Sequence, residues 1–162
     1  MDFVFGLPKD LDGSTGILVF VDRLSRMAHL AAVPDSIDGK GTDLLFIDRL
    51  FRQHGLPLAI VSDRDPRYTG KFWKTIFKVL GTRLDMSTAD HLQTEGQTEH
   101  VNRFLCEALR SVCAETPQRW SSMKPVVEFA MNNAVHSSTG FIPFYVNGLT
   151  HTRAPLTRPM RG

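Results

Sequence analysis

An α/β domain, with a mixed sheet flanked by helices, is the fold class this sequence predicts. Three observations lead there. Residues 16–22, GILVFVD, form an apolar run rich in strand-favouring side chains. Leu44, Ile47, Leu50 and Phe51 recur at three- and four-residue steps, the period of an amphipathic helix. Strand-like and helix-like segments then alternate along the chain before it ends in helices, which favours a sheet with helices packed on it.

In order, residues 3–5 (FVF) read as a short strand whose beginning is clipped just before Asp2. Gly16–Asp22 and Met27–Val33 read as two strands joined by a tight turn, with Asp22 as a strand-end or turn acid. Thr42 is the expected cap of a helix that Gly55 stops. Leu58–Asp63 (LAIVSD) reads as a buried strand, which puts Asp63 at a carboxyl end, where ligands gather in open α/β sheets. Asp65 and Pro66 turn the chain away. Phe72, Trp73, Ile76, Phe77 and Leu80 outline a second helix, and residues 82–87 a further strand. The polar stretch STADHLQTEGQTEH has no apolar period, so its outer part is expected to be a loop. Val101, Phe104, Leu105, Ala108, Leu109 and Val112 mark the buried face of a strong helix, with Glu99 on its first turn and facing elsewhere. Trp120, Met123 and Val127 outline a last long helix, with Pro125 near its start or kinking it. STGFIPF and the tail read as irregular, and both tryptophans as core.

The 162 residues suit one domain, placed at 1–150, followed by an irregular basic tail at 151–162. Apolar residues at 42% and charged residues at 22% give no reason to expect disorder. No apolar run approaches the roughly 18 to 20 residues of a membrane span, and the N-terminus lacks the pattern of a secretory signal, so no membrane partner and an intracellular location are expected. Cys106 and Cys113 lie two helical turns apart, roughly 10 Å, beyond disulfide reach, and are expected to stay reduced. A net charge of +2 is mild for a nucleic-acid binder. The local basic cluster Arg64, Arg67 and Lys71, taken by itself, reads more readily as a solvated face or loop than as a DNA-facing patch.

Three acids stand out: Asp2, Asp63 and Glu99. Magnesium takes oxygen ligands and few carboxylates, and three carboxylates around two ions suit in-line attack on phosphorus. With 17 acidic residues in the chain, spacing alone is weak support for that site. The segments around the acids add much more. MDFVFGLP, VDRLSRMAH, VSDRDPRYTGKFW, STADHLQTEGQTEHVNR and NNAVHSSTGFIPF occur in this order, and 35 residues separate Asp63 from Glu99. Together these resemble the integrase core of gypsy-type long-terminal-repeat retrotransposons, the D,D-35-E pattern, over nearly the whole chain.

The resemblance implies a ribonuclease H-like fold with a five-stranded mixed sheet, and Asp2, Asp63 and Glu99 as catalytic ligands of two Mg2+ or Mn2+ ions. It implies trimming of element DNA ends, joining to host DNA by transesterification, a homodimer or higher oligomer, and a nuclear location. His91, Gln93, Gln97, Asn102 and Arg103 flank Glu99, where polar groups reach DNA, although Gln97 serves equally as a helix cap and His91 as a loop brace. Asp90, Leu92, Glu95 and His100 depart from the family's usual tyrosine, proline, aspartate and arginine; Asp90 and His100 are expected to weaken DNA binding. The family's zinc-binding N-terminal domain and C-terminal DNA-binding extension have no counterpart in these residues, so weak metal binding and poor concerted integration are expected of the isolated chain. A non-catalytic nucleic-acid-binding or interaction module is the alternative, and a ribonuclease H a third reading.

Overall fold

The computed structural model describes residues 1–55, 57–62, 65–68, 73–74, 78, 83–86 and 92–148, with backbone alone for 83–86 and 92–98. Along the described residues run β1 (Asp2–Phe5), β2 (Gly16–Val21), β3 (Ala28–Val33), α1 (Gly39–Phe46), β4 (Ala59–Ser62), β5 (Arg83–Met86), α2 (Leu92–Val112), α3 (Trp120–Asn133) and α4 (Pro143–Gly148). The expected second helix has only Trp73, Lys74 and Lys78 among them, and the tail from 149 onward lies outside.

β1, β2 and β3 form an antiparallel meander with Asp2 opposite Val19 and Gly16 opposite Val33. β4 and β5 pair in parallel. The expected continuous five-stranded sheet is therefore not what the described residues form: they make a three-stranded sheet and a two-stranded one. The Met1 nitrogen donates to the Val61 carbonyl at 2.7 Å, which brings the start of β1 beside β4 through one bond rather than a ladder.

Alternation along the strands divides the core in two. Ile17, Val19 and Leu30 pack with Val101, Leu105, Leu109, Cys113, Trp120 and Val127 of the α2 and α3 side. Leu18, Phe20, Ala31 and Val33 pack on the other face with Phe46, Ile60, Tyr68 and Trp73. Because both faces are covered, β2 reads as a continuous apolar run instead of alternating. Both tryptophans are core residues, and both cysteines are free, Cys113 buried.

Several local expectations are corrected. Asp38, not Thr42, caps α1: its carboxylate accepts from the Gly41 nitrogen at 2.8 Å, while buried Thr42 donates its hydroxyl to the Asp38 carbonyl. The helix continues through a π turn, Ile47–Phe51, and one more turn to Gly55, whose φ of 73° ends it. Phe46 and Thr42 face inward, whereas Leu44 is 60% and Phe51 41% exposed. Pro125 lies inside α3, and Pro143 opens a short helix within the stretch read as irregular.

β3 is the outer strand of its sheet, and α3 covers it with polar side chains at four-residue steps. Lys124 donates to the Leu30 carbonyl at 2.8 Å, Glu128 accepts from the Leu30 nitrogen at 2.9 Å, and Asn132 bonds both the nitrogen and the carbonyl of Ala28 at 2.7 and 2.8 Å. These bonds satisfy backbone groups that would otherwise be buried without partners. Burial lowers the Lys124 pKa from its ordinary value, Arg49 adds to that, and Glu128 opposes it.

Asn132 is 1% exposed, and its loss strands two backbone groups at about 1 to 3 kcal/mol each, so Asn132→Ala should lose about 2 to 5 kcal/mol in urea unfolding. Val126→Ala on the exposed side of α3 should stay within about 0.5 kcal/mol. Asp43 is 2% exposed, and burial, followed by the charge of Asp38, pushes its carboxyl up to about 7. A raised acid binds its proton more tightly when folded, so this group makes stability fall as pH rises from about 4 to about 7. Asp43→Asn should flatten that segment of a stability-against-pH curve and raise stability at pH 8 by on the order of 3 kcal/mol.

Candidate active site

Asp2 opens β1 and points, with Val4, toward the α2 side, while Phe3 and Phe5 take the other face. It is half-buried. One carboxylate oxygen accepts from the Phe3 nitrogen at 2.8 Å, and the other accepts from the Asn102 side-chain amide at 2.7 Å. The second bond joins positions 100 residues apart and fixes α2 against the start of β1. Asn102 Oδ1 is buried and has no hydrogen-bond partner among the described residues.

Glu99 lies one turn before Asn102 on α2, and residues three apart on a helix are neighbours on its surface. It is exposed, and Arg103 holds it at 3.0 Å in an equally open pair. The expectation that Glu99 sits on a helix's first turn is corrected, because α2 already begins at Leu92 and takes in much of the expected loop. Gln, Glu and Thr can extend a helix without an apolar stripe, so periodicity alone does not reveal its start. The predicted buried stripe is narrower than expected: Val101, Leu105 and Leu109 are buried, whereas Phe104 and Val112 are exposed.

Of the other expected site residues, Asp63, Arg64, Lys71, Asp90 and His91 lie outside the described residues. Gln93, Gln97, Leu92 and Glu95 fall on the α2 backbone, and His100 is exposed on the same helix. Arg67, expected to face DNA or solvent, turns inward: its backbone nitrogen and Nε both donate to Asp65 Oδ1, at 2.9 and 2.7 Å, and Nη2 pairs with Asp65 Oδ2. Asp65 is thereby kept below the ordinary carboxylate range, chiefly by Arg67. Asp22 is a turn acid as expected, accepting from the nitrogen and hydroxyl of Ser25.

Among the described residues, no group of three or more His, Cys, Asp or Glu side chains stands ready to hold a metal. β1 and α2 carry hard-oxygen groups: the half-buried Asp2 carboxylate, the orphaned amide oxygen of Asn102 and, one turn along the helix, the open Glu99 carboxylate. Such donors fit magnesium or manganese rather than zinc or copper.

Sequence reasoning missed the pairing of His29 with His54, whose Nε2 atoms lie 2.9 Å apart, with Glu128 3.3 Å from His29 Nδ1. Burial, and then His29, lower the His54 pKa, while Asp22 opposes the shift. The pair lines a cavity of about 410 Å³ among Phe20, Asp22, Leu50 and Ile60. Neither Asp2 nor Glu99 lines that cavity, so it and the acids are separate features among the described residues.

No family model matches the chain. Over 160 residues, 99% of its length, it is 33% identical to the Transposon Tf2-3 and Tf2-4 polyproteins of Schizosaccharomyces pombe. It spans only 12% of the length of those curated relatives. The fold superposes on the HTLV-2 integrase catalytic core domain in complex with magnesium, with a TM-score of 0.68 and 14% identity over 88% of this chain and 99% of that one. The BIV integrase catalytic core domain gives 0.68 and 16%, over 90% and 91% of the two chains. An intasome of simian T-cell lymphotropic virus in complex with PP2A regulatory subunit B56 gamma gives 0.70 and 16%, covering 99% of this chain and 58% of the other. The chain belongs to the family of retrotransposon polyproteins represented by Tf2, and its fold is that of an integrase catalytic core.

Proposed function

We propose that this chain is the catalytic core of a gypsy-type retroelement integrase, acting in the nucleus on element ends and host DNA. Its reaction would be metal-dependent polynucleotidyl transfer: 3′-end trimming by water, then joining of the freed hydroxyl to target DNA. Asp2, Asp63 and Glu99 would hold two Mg2+ or Mn2+ ions. In this reading the two sheets continue as one five-stranded ribonuclease H-like sheet, and the core works as a homodimer or larger assembly on DNA.

The single observation that supports this reading most is the bond from Asn102 to Asp2, because it ties the helix carrying Glu99 to the strand carrying Asp2. Retroelement relatives over the full chain agree with it, as do structural neighbours described with magnesium and as an intasome. Bound at the acids, divalent ions would neutralise charge on the reacting phosphate. Asp2 would act as the fixed ligand, since its strand and Asn102 set its orientation. Glu99 would be the adjustable one, since it exchanges Arg103 for another cation at little cost in an exposed pair. Arg103, released, stays beside the site as a phosphate contact.

The test uses a branched DNA that mimics a strand-transfer product, incubated with Mg2+ or Mn2+. Wild type should cleave and rejoin it, and Asp2→Asn, Asp63→Asn and Glu99→Gln should each lose roughly 100-fold or more. Cleavage that survives these substitutions rejects the site, and DNA binding without metal-dependent cleavage favours the non-catalytic module. The supporting contact has its own check. A double-mutant cycle of Asp2→Ala with Asn102→Ala should give a coupling of about 1 to 2 kcal/mol in chemical unfolding, while additive effects would show that the helix and the strand are not joined there.

A further inference from the structure

The segment that leaves β4 is fastened to the opposite face of β1. The Arg67 guanidinium carbon lies 4.0 Å from the centre of the Phe3 ring and 4.7 Å from that of Phe5. Phe3 and Phe5 stack on each other at 5.4 Å, and buried Tyr68 stacks on Phe3 at 5.3 Å. Asp65 grips the same guanidinium through both carboxylate oxygens. On its far side the turn meets the start of α1, where a side chain at Gly39 would come within 3.2 Å of the Arg67 carbonyl. The Arg67 side chain is 23% exposed, and Nε and Nη2 are committed to Asp65.

Phe3 and Asp2 are adjacent residues of one strand with opposite facings, so whatever holds Phe3 also limits how Asp2 can tilt. Ser62, the last residue of β4, and Asp65, the gripping acid, stand on either side of Asp63 and Arg64 in the chain. A clamp at Asp65–Tyr68 and the bond from Met1 to Val61 thus fasten this segment to β1 both before and after Asp63 in the sequence. A guanidinium lying over two rings together with a two-pronged carboxylate contact is something arginine provides and lysine does not.

Resting on the function proposed above, we propose that the Asp65–Arg67 pair is a positioning device. It fastens the Asp65–Tyr68 turn to the Phe3 and Phe5 face of β1 and so fixes the tilt of the strand that presents Asp2 to metal. Arg67 is then neither a DNA contact nor a ligand, and Asp65 matters to metal binding without touching the ion.

The two roles open to Arg67 give opposite signs in one experiment. Mn2+ alone is titrated by electron paramagnetic resonance into wild type, Arg67→Lys, Asp65→Asn and Phe3→Leu, and binding of duplex DNA is measured by fluorescence anisotropy in EDTA. A positioning role predicts that all three variants bind Mn2+ about 10-fold more weakly, the usual loss when a group that orients a ligand is removed. Their DNA affinity should stay within about two-fold, since Arg67→Lys keeps the positive charge. A DNA-contact role predicts wild-type Mn2+ binding in every variant, with Asp65→Asn tightening DNA binding by removing a negative charge; that result overturns the clamp. Thermal unfolding identifies any variant that fails to fold, and the remaining ones carry the comparison. Wild type that binds no Mn2+ defeats the metal reading and the clamp with it, whereas wild-type binding with unchanged variants defeats the clamp alone.

Discussion

Two-residue alternation along β1 is the constraint from which the arrangement of the molecule follows. Asp2 and Val4 turn to one side of the sheet and Phe3 and Phe5 to the other, because successive side chains of a strand cannot share a face. The first pair meets α2, where Asn102 bonds Asp2 and Val4 joins the cluster around Leu105. The second pair meets Arg67 and Tyr68. A shift of one residue in the register with β2 would exchange these partners, burying Phe3 against Asn102 and presenting Asp2 to Asp65. The pairing of Asp2 with Val19 thus decides which face of the sheet each of these side chains takes.

The same sheet must also end somewhere, and the solution at β3 shapes the other side of the molecule. A lysine, a glutamate and an asparagine on α3 replace the missing neighbouring strand and satisfy the outward nitrogen and carbonyl groups of Ala28 and Leu30. An apolar helix face would leave those groups unpaired at about 1 to 3 kcal/mol each. Lys124 is buried for this reason, with Glu128 close by to offset its charge. Glu128 also approaches His29, so the polar lining of the cavity beside His54 continues the sheet-edge network.

How much of this was legible in the sequence depends on the range of the interaction. β2 and β3 could be read because their apolar runs report burial on both faces, and Trp73 and Trp120 because large rings seek the core. The choice between Asp38 and Thr42 as a cap could not, since both residue types cap helices and only the burial of Thr42 decides between them. The start of α2 was hidden because its polar first turns carry no period. Arg67 looked like surface charge until the fold set it over two rings, and the bond from Asn102 to Asp2 had no local signal because the two lie 100 residues apart. Pairings such as His29 with His54 carry no local signal at all. The family words located the candidate acids more sharply than any physical pattern did, yet they could not say which polar neighbours orient them.

The contrast between Asp2 and Glu99 shows how such orientation is divided. Asp2 is half-buried, and both of its oxygens are engaged by groups that are themselves held, a backbone nitrogen and an amide on a packed helix. Glu99 is 73% exposed, and its partner Arg103 is 66% exposed, so the pair contributes at most about 1 kcal/mol and salt screens it. One carboxylate is therefore already aimed by held partners, and the other gives up its present partner easily. A fixed acid on the strand and a yielding one on the helix is the arrangement this sequence builds, and Asn102 is what separates the two behaviours.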